Sequence, residues 1–374
     1  MKSIYTLLLL CVLVATQSFA QDNRYLAEVF TEVDVQEGVV YANNVTVLTV
    51  SDPNIGKPVP RDLLLDIYTP VGDMETERPL VLYFPTGNFL PNPINGGTTG
   101  TMKDPVLVDI STRLAKMGYV VAVVDYRKGW NPISDDPLER RSTLINAAYR
   151  GIQDSRTAVR FFKKTVAEEG NPYGICGDRI TLWGQGTGGY ITLGSNAINS
   201  YNELLLPKFF GADINGDGNP DPMVIEPIHG NPDGTLATTN PANGEPLSIA
   251  NHAEYDSEFQ LTVNIGGALG DISWLTEEDG PIISYHVPRD PFAPYGTAEL
   301  IVPTTGEFVV EVSGSFDVQA KAAEFNLNES FTSAGISDDF TAAADARNDG
   351  NKGLYPMPRP DGVNPLTGQP ALEG

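Results

Sequence analysis

Residues able to do chemistry are few in this sequence, and they gather in four places. The densest is Asp213-Ile-Asn215-Gly-Asp217-Gly218-Asn219-Pro-Asp221. Oxygen-bearing side chains recur at every second position, and a glycine at the sixth folds the carboxylates inward. That pattern suits a hard cation. The expectation is a structural Ca²⁺ held by Asp213, Asn215, Asp217, Asn219 and Asp221, stiffening its segment and taking no part in catalysis. Val224 stands at the twelfth position, where a calcium-binding helix–loop–helix carries glutamate, so an Asx-turn cluster without metal is the alternative. The second place is Gly184-Gln-Gly186-Thr187-Gly188-Gly189, a glycine-crowded turn after an apolar run. There the backbone N–H of Thr187, at a helix start, could hold an oxyanion or carboxylate. The third is Pro85-Thr86-Gly87-Asn88-Phe89. The fourth holds His286 and Asp290; His229 and His252 are the only other histidines.

The elements that must position these residues are legible as apolar runs. Asn44–Val50 alternates, and Asp62–Thr69 is a strong strand run. Pro79–Pro85 and Tyr119–Tyr126 are continuous apolar runs of the buried, parallel-sheet kind. Leu144, Ala148, Ile152, Ser155, Val159, Phe162 and Val166 fall at spacings of four and three, one stripe of an amphipathic helix that stops near Gly170-Asn-Pro172. Asp154 and Arg160 lie off that stripe and read as solvated or ion-paired. A strand from Arg179 and a helix from Gly188 to about Asn199 flank the glycine turn. Gln260–Gly267, Pro281–Val287 and Glu307–Ser313 are three further strands, making eight in all. Only a short segment, Pro291–Gly306, separates the last two. A full crossover helix hardly fits there, and the segment holds another apolar run, Leu300–Val302. Asp317–Phe325 reads as a helix.

Tyr173-Gly174-Ile-Cys-Gly-Asp178-Arg179-Ile-Thr-Leu-Trp183-Gly184 and the Gly184-x-Gly186-x-Gly188 turn resemble the nucleophile-elbow segment of carboxylesterase-type α/β-hydrolases. Leu65-Asp-Ile-Tyr-Thr-Pro70 followed by Arg78-Pro-Leu-Val-Leu-Tyr-Phe84 resembles the same family's first strands, and His286-Val-Pro-Arg-Asp290-Pro-Phe-Ala-Pro294-Tyr295 its acid turn. The likeness covers about Arg61 to Phe316, apart from the segment after the elbow helix. It implies an α/β fold with an eight-stranded, mostly parallel sheet flanked by helices. It also implies a nucleophile at position 186, an acid at Asp290, an oxyanion hole at Gly87 and Thr187, and a histidine base after the eighth strand. Here position 186 is Gly186, which has no side chain to attack with. The family's His-Gly-Gly-Gly-Phe loop is thinned to Pro85-Thr86-Gly87-Asn88-Phe89. After Glu307–Ser313 the chain reads Gly314-Ser315-Phe316, and no histidine follows His286. Two of three triad members are thus absent, and because they act as one unit their loss removes nearly all triad acceleration. The Asp213–Asp221 segment in turn resembles the calcium loops of dockerins and integrin-type repeats. The leading expectation is an exported, catalytically degenerate hydrolase homologue that binds a small ester or carboxylate ligand or a partner. Its rivals are an ester hydrolase with a rebuilt site and a calcium-stabilised adhesion module. In the rebuilt site His229 or His252 would swing over the elbow, with Thr187, Thr86 or a metal-bound water as nucleophile; the preferred reading of both is exposed loop histidines.

Composition bounds the rest. Twenty-four basic against forty-eight acidic residues give a net charge of −24, which argues against nucleic acid or anionic membrane surfaces as partners. Lys2, the apolar run Leu7–Val14 and Ser18-Phe-Ala20 make a secretory signal peptide cut near Ala20. Its apolar run is too short to span a bilayer. The expected order is signal peptide 1–20, hydrolase domain 21–345 with a loop-rich insertion at about 201–257, and an irregular Pro/Gly-rich tail 346–374. Removing the signal leaves Cys176 alone, a small buried filler on the loop before the elbow strand.

Overall fold

The computed structural model describes residues 23–92, 94–302, 306–335 and 337–357. The signal peptide and the tail from residue 358 lie outside them. Apolar runs become strands whose side chains alternate between two covered faces. In β3 (Arg78–Phe84), Leu80, Leu82 and Phe84 join one core with Ala158, Val159 and Phe162 of helix α2 (Pro137–Glu168) and Ile191 of α3 (Thr187–Ala197). Val81 and Tyr83 point the other way, onto Leu107 and Ala115 of α1 (Pro105–Lys116). Both faces are buried, hence the unbroken apolar runs.

The sheet has eight strands. β1 (Val33–Thr46) and β2 (Val59–Pro70) are antiparallel, and β2 is antiparallel to β4 (Val120–Val124). From β4 onward every pairing is parallel: to β3, to β5 (Ile175–Gln185), to β8 (Leu261–Ile265), to β9 (Ile282–His286) and to β12 (Leu354–Pro356). The result is an α/β fold with the order β1-β2-β4-β3-β5-β8-β9-β12.

The eighth place differs from the sequence expectation. Glu307–Ser313 does not enter this sheet; as β11 it pairs antiparallel with β10 (Thr297–Val302) in a separate hairpin. Four residues between the two runs permit a hairpin and exclude a parallel crossover. Reciprocal backbone hydrogen bonds of 2.8 Å between Leu269 and Ser313 fasten the hairpin to the body. The strand that takes the eighth place, β12, lies where an irregular tail was expected. It is preceded by α5 (Ser315–Glu324), α6 (Glu329–Ser333) and α7 (Asp339–Asp345). β1 starts earlier than the alternating run Asn44–Val50 suggested, and Leu48–Ser51 is a 3₁₀ turn. Helix α1, with Pro105 at its first turn, was not read from the sequence at all. Between α3 and β8 lie 3₁₀ turns at Tyr201–Leu204 and Pro207–Phe209, a single helical turn α4 (Glu226–His229), and the short pair β6 (Thr238–Thr239) and β7 (Pro246–Ser248).

The amphipathic stripe on α2 is real, but the helix is buried on every side from Gly151 to Phe162. Asp154 is therefore not solvated. It is 1 % exposed and paired with Arg127 at 2.8 Å, while also accepting the Arg127 backbone N–H at 2.7 Å. Arg160 is equally buried and donates to Thr157 and the Asn251 carbonyl. Cys176 lies on β5 itself, half-buried and unpaired.

Candidate ligand chamber at the strand–helix bend

The bend between β5 and α3 is built from glycines because nothing larger fits. A Cβ on Gly184 would lie 2.0 Å from the Gly188 carbonyl oxygen. One on Gly188 would lie 2.1 Å from the Phe84 carbonyl oxygen, and one on Gly189 2.3 Å from Asn264 Oδ1. Gly186 sits at the apex with φ 55° and ψ −116°, a region costly for any residue with a side chain. Its N–H donates to the Ile265 carbonyl at 2.8 Å. The space a side chain would need there is taken: an ideal Cβ on Gly186 would fall 2.2 Å from Thr86 Oγ1 and 2.9 Å from Thr86 Cβ.

The loop after β3 is pinned against this bend. The buried Tyr126 hydroxyl donates to the Pro85 carbonyl at 3.0 Å and lies 3.1 Å from Thr187 Oγ1, which then donates to it. Burial pushes the Tyr126 phenol above its ordinary range, so it stays protonated. Gly87 has φ 131° and approaches Gly100, whose Cα would lie 2.8 Å from an added Cβ. Tyr126 drew no notice as a site-former in the sequence, and Thr86 did so only as a possible nucleophile of a rebuilt site, not as the residue that fills the place of one. Tyr126 ended an apolar run, and the meeting of Thr86 with Gly186 is a long-range contact with no local signature.

Gly87, Gly186, Thr187, His286 and Asp290 all line one cavity of about 1260 Å³, so the structure brings the expected positions together. Asp290 Oδ1 accepts the Phe292 N–H at 2.7 Å and the Ala293 N–H at 3.2 Å. His286, buried beside it, is engaged at both ring nitrogens. Nε2 lies 3.2 Å from the Ala293 carbonyl, which can only accept, so Nε2 carries the proton. Nδ1 then accepts the Ser315 hydroxyl at 2.6 Å, and Ser315 accepts Asn264 Nδ2 at 2.9 Å. Burial lowers the His286 pKa, with the Ala293 carbonyl and the Asp290 charge opposing. An imidazole bonded in this way has no lone pair free to take a proton from a nucleophile.

The other two histidines do not line this cavity. Nor are they the exposed loop residues the sequence suggested. His229 Nδ1 accepts the Ile225 N–H at 2.8 Å, and burial, with the Arg150 charge, lowers its pKa to about 4. His252 is half-buried, bonded through Nε2 to the Tyr41 carbonyl at 2.8 Å and packed on Phe161. The rebuilt site with an imidazole swung over the elbow is therefore not formed: both rings are held by backbone partners in other parts of the fold.

The Asp213–Asp221 loop lies apart from the cavity. Its carboxylates are turned onto its own amides. Asp213 accepts N–H groups of Gly216, Asp217 and Gly218 at 2.6, 3.2 and 2.9 Å. Asp221 accepts those of Ile214 and Asn215 at 2.7 and 3.1 Å, and Asp217 accepts that of Asn219 at 2.8 Å. Among the described residues no three carboxylate, imidazole or thiol side chains converge as a metal cage. In this conformation the donor set does not form one, and Asn215 and Asn219 face neighbouring carboxylates.

No family model matches the chain, and no curated protein matches it in sequence. Solved structures do. A truncated carbohydrate esterase from gut microbiota is 14 % identical, over 73 % of this chain and 82 % of its own, with a TM-score of 0.37. A bifunctional GH43-CE protein of Bacteroides eggerthii is 16 % identical over 70 % of this chain and 31 % of its own, with a TM-score of 0.38. Esterase 2 of Thermogutta terrifontis is 15 % identical over 69 % and 73 %, with a TM-score of 0.35. Likenesses this distant carry no argument about this chain. Among the described residues no helix is long and apolar enough to cross a membrane. The mostly parallel eight-stranded sheet with helices on both faces makes this an α/β fold.

Proposed function

We propose that this protein is an exported α/β-hydrolase homologue that binds a small ester or carboxylate ligand in the chamber without turning it over. The carrying observation is Thr86: its hydroxyl fills the volume that a side chain at position 186 would occupy, 2.2 Å from the ideal Cβ. The nucleophile is not merely deleted; its space has been reused. Asp290 retains the acid position with no imidazole to orient, and Gly87 and Thr187 supply the polar floor on which a carbonyl or carboxylate would rest. The test is hydrolysis of short p-nitrophenyl esters by the mature protein. The reading requires a rate indistinguishable from buffer, and robust turnover would overturn it. One rival has a specific observation in its favour, because a hydroxyl does stand at the bend. Under that reading the Thr86→Val variant would abolish turnover that the unaltered protein displays.

Two further parts of the reading concern the rest of the chain. Export rests on the amino-terminal sequence pattern, and amino-terminal sequencing of the secreted product should start near Gln21. Calcium at Asp213–Asp221 rests on the ligand spacing alone, and binding would require those carboxylates to leave their present amide partners. The melting temperature should rise with millimolar Ca²⁺ and fall with a chelator; no change would leave the loop an Asx-turn cluster.

A further inference from the structure

The chamber that opens at the bend continues along α2. Arg141, Leu144, Ile145, Ala148 and Ile152 line it from the first turns of that helix inward. A rise of 1.5 Å per residue puts Arg141 about 16 Å from Ile152 along the axis. Between them Leu144, Ile145 and Ala148 present only hydrocarbon.

Arg141, like Arg150 and Arg160, has a buried guanidinium nitrogen without a partner and, among the described residues, no ion pair to a carboxylate, and of these three it alone lines the chamber. Acidic residues outnumber basic ones two to one, and Arg24, Arg78, Arg127 and Arg156 each meet a carboxylate. Arg141 meets none among the described residues. One guanidinium nitrogen donates to the Lys208 carbonyl, the buried Nε donates to nothing, and the plane lies 5.5 Å over the Phe308 ring of β11. Burial lowers its pKa, and no carboxylate offsets that. A partly buried guanidinium with a spare donor is costly, and an anion that completes its hydrogen bonds removes the cost.

We propose that the chamber binds an amphiphile with a single carboxylate head and a long aliphatic body, the head paired with Arg141 and the body laid along α2 toward Ile152. One uncompensated guanidinium suits a monoanion, and its planar fork matches a carboxylate. The volume of about 1260 Å³ exceeds what a compact ligand fills. This inference rests on the chamber being a ligand site, and it departs from the reading above in seating the carboxylate on Arg141 and not on the Gly87–Thr187 floor, and in making the ligand long.

The protein carries its own reporter, because two of its three tryptophans, Trp130 and Trp274, line the chamber. The experiment titrates the mature protein with dodecanoate and with dodecanol, following tryptophan fluorescence and binding heat. Dodecanoate should bind at least tenfold more tightly. Arg141→Gln should remove that preference and leave dodecanol binding within twofold. Arg141→Lys, which keeps the charge, should retain part of it, and it replaces Arg141→Gln if that variant fails to give a native thermal melt. Equal binding of acid and alcohol, or an unchanged preference without the guanidinium, overturns the assignment to Arg141 and leaves the chamber a ligand site. Failure of both amphiphiles to bind overturns the long-chain ligand altogether, and the small-ligand reading is then decided by its own test.

Discussion

The bend at Gly184–Gly188 and the loop at Asp213–Asp221 both owe their shape to glycine, for opposite reasons. At the bend the glycines answer to other parts of the chain. Gly188 is pressed against the Phe84 carbonyl, Gly189 against Asn264, and Gly186 against Thr86. In the loop Gly216 and Gly218 have φ of 78° and 89° and open space around them, with nothing within 4 Å of an added Cβ. Tertiary packing dictates one and local backbone conformation the other. A device specified by packing can lose its reacting atom and keep its form, because the strands and helix around it still demand the glycines. A loop specified only by its own carboxylates and amides has no such support.

That contrast can be broken by substitution, and the largest effect should come at the bend. Gly188→Ala forces a methyl onto the Phe84 carbonyl and should cost more than about 3 kcal/mol in urea unfolding; a loss under 1 kcal/mol would mean the bend is not held by packing. Gly186→Ser comes next. It combines a left-handed φ with displacement of Thr86, and should cost about 1–3 kcal/mol and yield no ester turnover. Adding Thr86→Ala should restore part of the stability, and failure to do so would deny that the two positions compete for one space. On the loop side, His229 lines a smaller cavity with Asp221 and Ile214. Its folded pKa of about 4 lies below the unfolded value, so the unfolded chain binds the proton first. The neutral ring's contribution is complete above about pH 6.5, and it is lost as pH falls toward 4. For a half-buried ring this is on the order of 1–2 kcal/mol. His229→Asn should flatten that part of the stability profile. The smallest effect belongs to Gly216→Ala, about 1 kcal/mol, all of it from backbone conformation. A larger loss would mean the loop packs against something more than itself.

The same contrast explains what the sequence could reveal. Buried strands left unbroken apolar runs, and the bend left crowded glycines, so the α/β architecture and the place of Gly186 were readable. So was Asp290, through its turn. The eighth strand was not: Leu354–Pro356 is three residues long and ends in proline, and its partner β9 lies some seventy positions earlier. Glu307–Ser313 has the better strand composition, yet only the four-residue gap before it tells that it belongs to a hairpin. Helix α1 did offer a signal, Pro105 after Asp104, that the reading passed over. His229 and His252 misled because burial is decided by what the rest of the chain packs around them, whereas Asp154 met the ion-paired half of its reading in Arg127. Arg141 stood unremarked beside Arg140, since the absence of a counter-charge is a property of three dimensions.

The hairpin β10–β11 closes one side of the chamber, with Leu300 and Phe308 among the residues that line it, and is fastened by the Leu269–Ser313 bridge, by Lys208 Nζ donating to the Glu311 carbonyl at 2.9 Å and by the buried Val309, Val310 and Val312. A guest shut in behind it would leave when this hairpin opens, so its residence time would shorten in dilute urea if the hairpin opens ahead of the sheet, and hydrogen exchange of the Leu269 and Ser313 amides would report that opening.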